Sequence, residues 1–187
     1  MRARTPGSGA KDDEAVFLEL FERTSARVYS YVRRHCDDAE CDDVVSEVFL
    51  VAWRRLGDVP SDAVPWLLGT ARHVVGNHWR SRDRRGRLET ELRGVRQLAT
   101  ESDPAGLTVE RAAMLAALAT LGANDRELLL LVGWDGLDAA GVAQALGCSG
   151  TAARARLSRA RRALESAFDR ESTEPSVAPR WLLSEGN

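Results

Sequence analysis

Apolar residues recur along the chain at three- and four-residue intervals, the spacing of one face of an α-helix. Val16, Leu20, Val28, Tyr31 and Val32 predict a first helix over about 14–35. Val44, Val48 and Val51 interleave with Val45, Phe49, Ala52 and Trp53, so the second helix is apolar on more than one side, as for a helix packed between neighbours. Gly57, Pro60 and Pro65 interrupt the pattern, and Trp66, Leu67, Ala71, Val74, Val75 and His78 resume it. From Ser81 to about Thr108 the periodicity weakens, and Gly86, Gly94, Pro104 and Gly106 predict a linker with some helical content. Met114, Leu115, Leu118 and Leu121 then form a new stripe, and Leu128 to Val132 open another helix behind Asn124 and Asp125 as its cap. A short helix over 137–146, opened by Asp138 and closed by Gly147, is followed by a longer one over 151–169. No segment alternates with period two between hairpin turns, so no sheet is expected.

The expected fold is therefore all-α: two small helical domains, over 14–87 and 109–169, joined by a flexible linker over 88–108. Residues 1–13 and the tail over 170–187 are expected to lie outside both as flexible ends. The hydrophobic fraction of 44% and charged fraction of 29% fit a folded soluble chain rather than a disordered one. No apolar run approaches the roughly 20 residues that span a bilayer, so no membrane insertion is expected. The N-terminus lacks the hydrophobic stretch of a secretory signal. Three cysteines, an odd number, fit a reducing cytoplasm better than a disulfide framework.

The net charge of −2 hides an asymmetry. Acids gather early, at Asp37, Asp38, Glu40, Asp42, Asp43 and Glu47. Arginines gather at Arg80, Arg82, Arg84, Arg85 and Arg87, and again at Arg154, Arg156, Arg159, Arg161 and Arg162. Two separated basic clusters on a nearly neutral chain point to local docking sites for a polyanion.

The second cluster sits on a helix-turn-helix pattern: Asp138 to Gly147, then Cys148-Ser149-Gly150, then a helix. Small residues at Ala139, Ala143 and Ala145 allow a close helix crossing. On the following helix Ala153, Leu157, Ala160, Leu164 and Phe168 share a core-facing stripe. The opposite arc carries Thr151, Arg154, Ser158, Arg159 and Arg162, and no acid occurs between Thr151 and Leu164 that could pair with it. Such an arc suits the major groove, where guanidinium groups reach phosphates and guanine edges. In the first domain Trp66, His73, Asn77, His78 and Trp79 precede the other arginine run. Aromatic and amide side chains beside arginines suit unpaired bases; Trp66 or Trp79 alone reads better as core, and the combination with Arg80 to Arg87 brings the two readings close to even.

These residues carry a resemblance. Asp43-Val-Val-Ser-Glu47-Val-Phe-Leu-Val-Ala-Trp53-Arg-Arg-Leu56 and Pro65-Trp-Leu-Leu-Gly-Thr-Ala-Arg72 resemble the second region of bacterial sigma factors of the extracytoplasmic-function group. Asp125-Arg-Glu-Leu-Leu-Leu-Leu131, the run from Gly136 to Gly147, and Arg156 to Leu164 resemble that group's fourth region. The resemblance implies a protein that binds core RNA polymerase, selects a promoter and helps open it. It places Asp43, Ser46, Glu47, Leu50 and Trp53 on the clamp helices of the polymerase's largest subunit. It places Trp66, Arg72, His73, Asn77, His78, Trp79 and Arg80 on the −10 element of promoter DNA, and the arc from Thr151 to Arg162 on the −35 element. It also implies an anti-sigma factor or similar inhibitory regulator. Ser46, His73 and Gly150-Thr-Ala-Ala153 depart from the group's usual residues.

Enzymatic readings find little support. His35, Cys36 and Cys41 lack the spacing of a metal site, and no nucleophile elbow, phosphate-cradling loop or His-Glu-x-x-His occurs. No cofactor or metal is expected. The rival is a dimeric helix-turn-helix regulator acting without polymerase, which would need neither the acidic helix nor the aromatic one.

Overall fold

The structure, a computed structural model, describes residues 9–36, 38–78, 89–96 and 108–173. Among these residues there are helices and no strand. In chain order they are α1 (Gly9–Arg33), α2 (Asp38–Arg54), a 3₁₀ turn (Leu56–Asp58), α3 (Ala63–His78), α4 (residues 89–96), α5 (Val109–Thr120), α6 (Ala123–Gly133), α7 (Ala139–Leu146) and α8 (Gly150–Thr173). No helix among them is long and apolar enough to cross a membrane.

Helices α1 to α3 form one bundle around Val28, Val32, Val44, Val48 and Leu67, all fully buried. The alternation of apolar faces read along α2 is real: Val44, Val48 and Ala52 face inward with Phe49 beside them. Val16, expected in the stripe of the first helix, is 55% exposed instead. At that turn Phe17 takes the inward position, its ring edge-on to Phe49 and Trp53. Helices α5 to α8 form the second bundle, around Leu128, Leu131, Val142, Ala153 and Ala160. The cap of α6 is Gly122, not Asn124 or Asp125. Helix α6 begins at Ala123, ahead of both expected cap residues, and Asp125 lies inside the first turn, where it favours the helix dipole rather than capping it.

Two separate heads would each keep their own core. Here one hydrophobic core cluster runs through both bundles, from Val28 and Leu67 to Leu128, Val142 and Ala160. The reason lies in small residues on α3 and α7. A Cβ at Gly69 would sit 3.0 Å from the Ala145 carbonyl oxygen, so the two backbones touch where no side chain intervenes. Gly141, in turn, leaves room for the Pro65 ring.

Polar bolts reinforce this seam. Arg34, just beyond α1, grips Asp135, just beyond α6, through two hydrogen bonds of 3.0 and 2.5 Å, with both side chains almost wholly buried. Arg27 donates to the Asp135 carbonyl. The Tyr31 hydroxyl donates to Glu127 at 2.9 Å, and Arg72 Nε reaches both Glu127 oxygens at 3.1 and 3.2 Å. Burial, together with Glu127, holds the Tyr31 phenol far above its usual range, so it stays a donor at any physiological pH. Burial also pushes the Asp135 carboxyl up, while Arg34 and Arg27 pull it back down.

Helix α4, within the segment expected to be a linker, is wedged between the bundles. Leu92 and Val95 are buried. Gly94 lies so close to the end of α1 that a Cβ there would come within 2.6 Å of the Arg33 oxygen and the Arg34 Cα. Glu91 pairs with the buried Arg126, which also donates to the carbonyls of Leu118 and Leu121 and so closes the end of α5.

Removing one partner of a buried pair strands the other charge in a low dielectric, whereas replacing both leaves nothing unsolvated. Asp135→Ala is therefore expected to cost about 3–5 kcal/mol in urea unfolding. Arg34→Met combined with Asp135→Leu should recover most of that loss. Additive losses in the double variant would argue against the pair as the seam's main polar element.

Candidate nucleic-acid interface

The helix-turn-helix is built as its residues dictate. Asp138 caps α7, its carboxylate accepting from the Gly141 amide at 2.7 Å. Gly147 ends α7 at φ 62°, the left-handed conformation that a Cβ disfavours. The Cys148 amide then bonds back to Ala143, and Ser149 Oγ accepts from the Ala152 amide as α8 begins. On α8, Ala153, Leu157 and Ala160 are buried, while Leu164 and Phe168 are half-buried. Thr151, Arg154, Ser158, Arg159 and Arg162 are all exposed. The core stripe turns the arginine arc outward: positions three and four apart share a face, so filling one face with alanine and leucine sends the rest to solvent.

On α3 the structure brings Arg72, His73 and Asn77 to one cleft of about 320 Å³, together with Tyr31, His35, Asn124 and Glu127. The His73 ring donates from Nδ1 to the Gly69 carbonyl at 2.7 Å, since a carbonyl can only accept. Trp66 is half-buried against the core, and the Arg55 guanidinium lies over its ring at 5.6 Å. It is both a packing residue and a ring with one face set against a cation. His78 closes α3. Trp79 and Arg80, with the arginine run to Arg87, lie outside the described residues.

On α2 the five residues Asp43, Ser46, Glu47, Leu50 and Trp53 are all exposed and follow helical spacing, so they form one continuous face. Leu50 is 46% and Trp53 43% exposed, an unusual amount of apolar surface to leave in water. Sequence reading missed that α1 extends this surface. The Phe17 ring meets Trp53 edge-on at 5.1 Å, and Phe21, 40% exposed, meets Phe49 at 4.7 Å. The signal was Phe17 and Phe21, four residues apart and one step off the Val16–Leu20 stripe. Sequence reading also missed Glu127 as the partner of Arg72, because a contact across 55 positions leaves no local trace. Cys36 and Cys41 are buried, Cys148 is half-buried, and all three are free thiols. No group of three or more metal-ligating side chains occurs among the described residues.

Comparison with known proteins shows which family the chain belongs to. Residues 20–85 match the family model of sigma-70 region 2, and residues 111–164 match that of sigma-70 region 4. The chain is 34% identical to the ECF RNA polymerase sigma factor SigC of Mycobacterium tuberculosis over 164 residues, covering 84% of this chain and 85% of that one.

The chain belongs to the extracytoplasmic-function group of sigma-70 factors.

It is also 30% identical to the sigma factor SigL of Mycobacterium tuberculosis, across 87% of this chain and 93% of that one. Among solved structures it resembles CnrH in complex with the cytosolic domain of CnrY, with a TM-score of 0.57 and 25% identity over 83% of this chain and 88% of that one. The fold also matches the sigma factor RpoE of Bartonella quintana, solved with the anti-sigma factor NepR, at a TM-score of 0.53 and 19% identity over 81% of this chain and 95% of that one. As a sigma factor, the protein is a transcription initiation factor that directs RNA polymerase to promoters, and it is not an enzyme.

The caps of the helix-turn-helix set the attitude of α8. Asp138→Ala leaves the Gly141 amide without its side-chain acceptor and is expected to cost about 1 kcal/mol of stability. A thermal melt of the full chain measures this, and an unchanged midpoint would show that the cap is dispensable.

Proposed function

We propose that α2 docks on core RNA polymerase, α3 reads the −10 element and α8 reads the −35 element. The observation that supports this most is the exposed face of α2, where Asp43, Ser46 and Glu47 stand beside uncovered Leu50 and Trp53. A regulator acting without polymerase has no use for such a face, so the dimeric alternative is not favoured. Docking would engage the largest subunit's clamp helices through Asp43, Ser46, Glu47, Leu50 and Trp53, with Phe17 and Phe21 widening the apolar contact.

The α8 arc of Thr151, Arg154, Ser158, Arg159 and Arg162 would enter the major groove of the upstream element. Trp66, Arg72, His73, Asn77, His78, Trp79 and Arg80 would hold the downstream element, stacking and hydrogen-bonding its bases as they leave the duplex. Each basic patch alone is too small to grip promoter DNA tightly, and polymerase supplies the missing affinity by holding both at a set spacing. The protein would act in the cytoplasm, joining the nucleoid when bound to polymerase. An anti-sigma factor is the expected regulator, in keeping with the solved pairing of RpoE with the anti-sigma factor NepR in Bartonella quintana.

Asp43→Arg or Glu47→Arg should weaken polymerase binding with the fold intact; unchanged retention on immobilised core polymerase would refute the docking face. Arg154→Ala and Arg159→Ala should each cost about 1–3 kcal/mol at the upstream element where the contact is bidentate to a base. Holoenzyme binding to promoter fragments with and without that element reads this out, and equal loss on both fragments would remove these residues from the −35 reader.

A further inference from the structure

The second bundle leaves part of its apolar surface uncovered. Val95, Leu115, Leu118 and Leu130 form a small core cluster of their own, separate from the one that runs through both bundles. All four also line a groove of about 440 Å³ between α4, α5, α6 and α8. Met114, Val132, Trp134 and Leu164 extend its wall, and Met114 is 37% exposed. Arg111 and Arg161 are the only charged side chains among the described residues that line it. An apolar trough of this size, within the ~300–1,000 Å³ of ordinary ligand sites, takes one aromatic and one aliphatic side chain. Its two cations favour an acid beside them.

The chain carries a segment with that chemistry. Trp181-Leu182-Leu183, in the tail that the sequence predicts to be a flexible end, is followed by Glu185. Residues 174–187 lie outside the described residues. Helix α8 ends at Thr173, and Leu164 in the groove lies back along it by about 14 Å at ~1.5 Å per residue. Residues 174–180 can span up to about 25 Å, so the triplet reaches the groove with slack. Pro175 and Pro179 fall within this tether, and proline interrupts a helix, which suits a chain that doubles back along α8. Charge sets the direction of entry: Arg180 precedes the triplet and Glu185 follows it, so Glu185 belongs beside Arg111 and Arg161. A segment tethered this closely meets the groove at an effective concentration of roughly millimolar, which favours it over a second copy or a free partner.

We propose that Trp181, Leu182 and Leu183 fold back into this groove, with Glu185 at Arg111 and Arg161, and complete the core of the second bundle. The contact does not depend on which helices meet DNA or polymerase. It covers Met114 and Trp134 from water and, through Val95, ties α4 to α8. A partner that used the same groove would first have to displace the tail.

The test places a nitroxide on Ser184→Cys of the full chain, in a Cys148→Ser background whose two remaining thiols, Cys36 and Cys41, are buried. Amide signals of residues 111–118, 129–134 and 161–164 should broaden in the free protein, and those of α2 should not. Glu185→Arg should weaken the broadening, and adding Arg161→Glu should restore part of it. Trp181→Ser should speed hydrogen exchange of the α5 amides by about tenfold and leave α2 unchanged. Broadening that arises only between nitroxide-bearing chains and separate isotope-labelled ones places a second copy in the groove and overturns the proposal. Groove amides that stay sharp, or α5 exchange indifferent to Trp181→Ser, overturn it as well and leave the groove to another protein.

Discussion

The molecule turns on two charged pairs set between its bundles, one of them, Arg34 with Asp135, kept out of water. Arg34 with Asp135, and Arg72 with Glu127, join segments about 100 and 55 positions apart in sequence. Neither is the main source of cohesion. Burying an ion pair loses about as much in hydration as it gains in attraction. What such pairs supply is register: they are satisfied in one relative placement of the bundles and costly in its near neighbours. The apolar seam between α3 and α7 is keyed by Gly69 against Ala145, and the Arg34 fork fixes the same placement.

This placement gives the arginines of the chain two distinct fates. Those on α8 are pushed outward into solvent by an alanine and leucine core. Arg34 and Arg126 are turned inward and spend their donors on the protein: Arg34 on Asp135, and Arg126 on Glu91 and two carbonyls at the end of α5. Arg72 lies between these fates, about a third exposed and bound to a carboxylate.

Much of this was legible in the sequence, for identifiable reasons. The helices were readable because a single period governs each. The α7 turn was readable because Asp138 and Gly147 are chemically suited to a start and a stop. The outward arc of α8 followed from the absence of acids among its arginines. The contact between bundles was not readable. Gly69 in a helix looks like a weak point until Ala145 is seen against it, and Asp135 looks like a turn residue until Arg34 reaches it. Val16 misled for a related reason: period alone does not say which of two adjacent stripes faces the core, and the large Phe17 ring won that position. Helix α4 was obscured by the glycine-rich, charged segment around it, although Gly94, which counted against helix there, is what lets α4 approach α1.

The lodging of α4 also makes the join between the bundles depend on a missing side chain. A Cβ at Gly94 would lie 2.6 Å from the Arg33 oxygen and the Arg34 Cα, so even alanine there would push α4 off the end of α1 and disturb the Arg34 fork beside it.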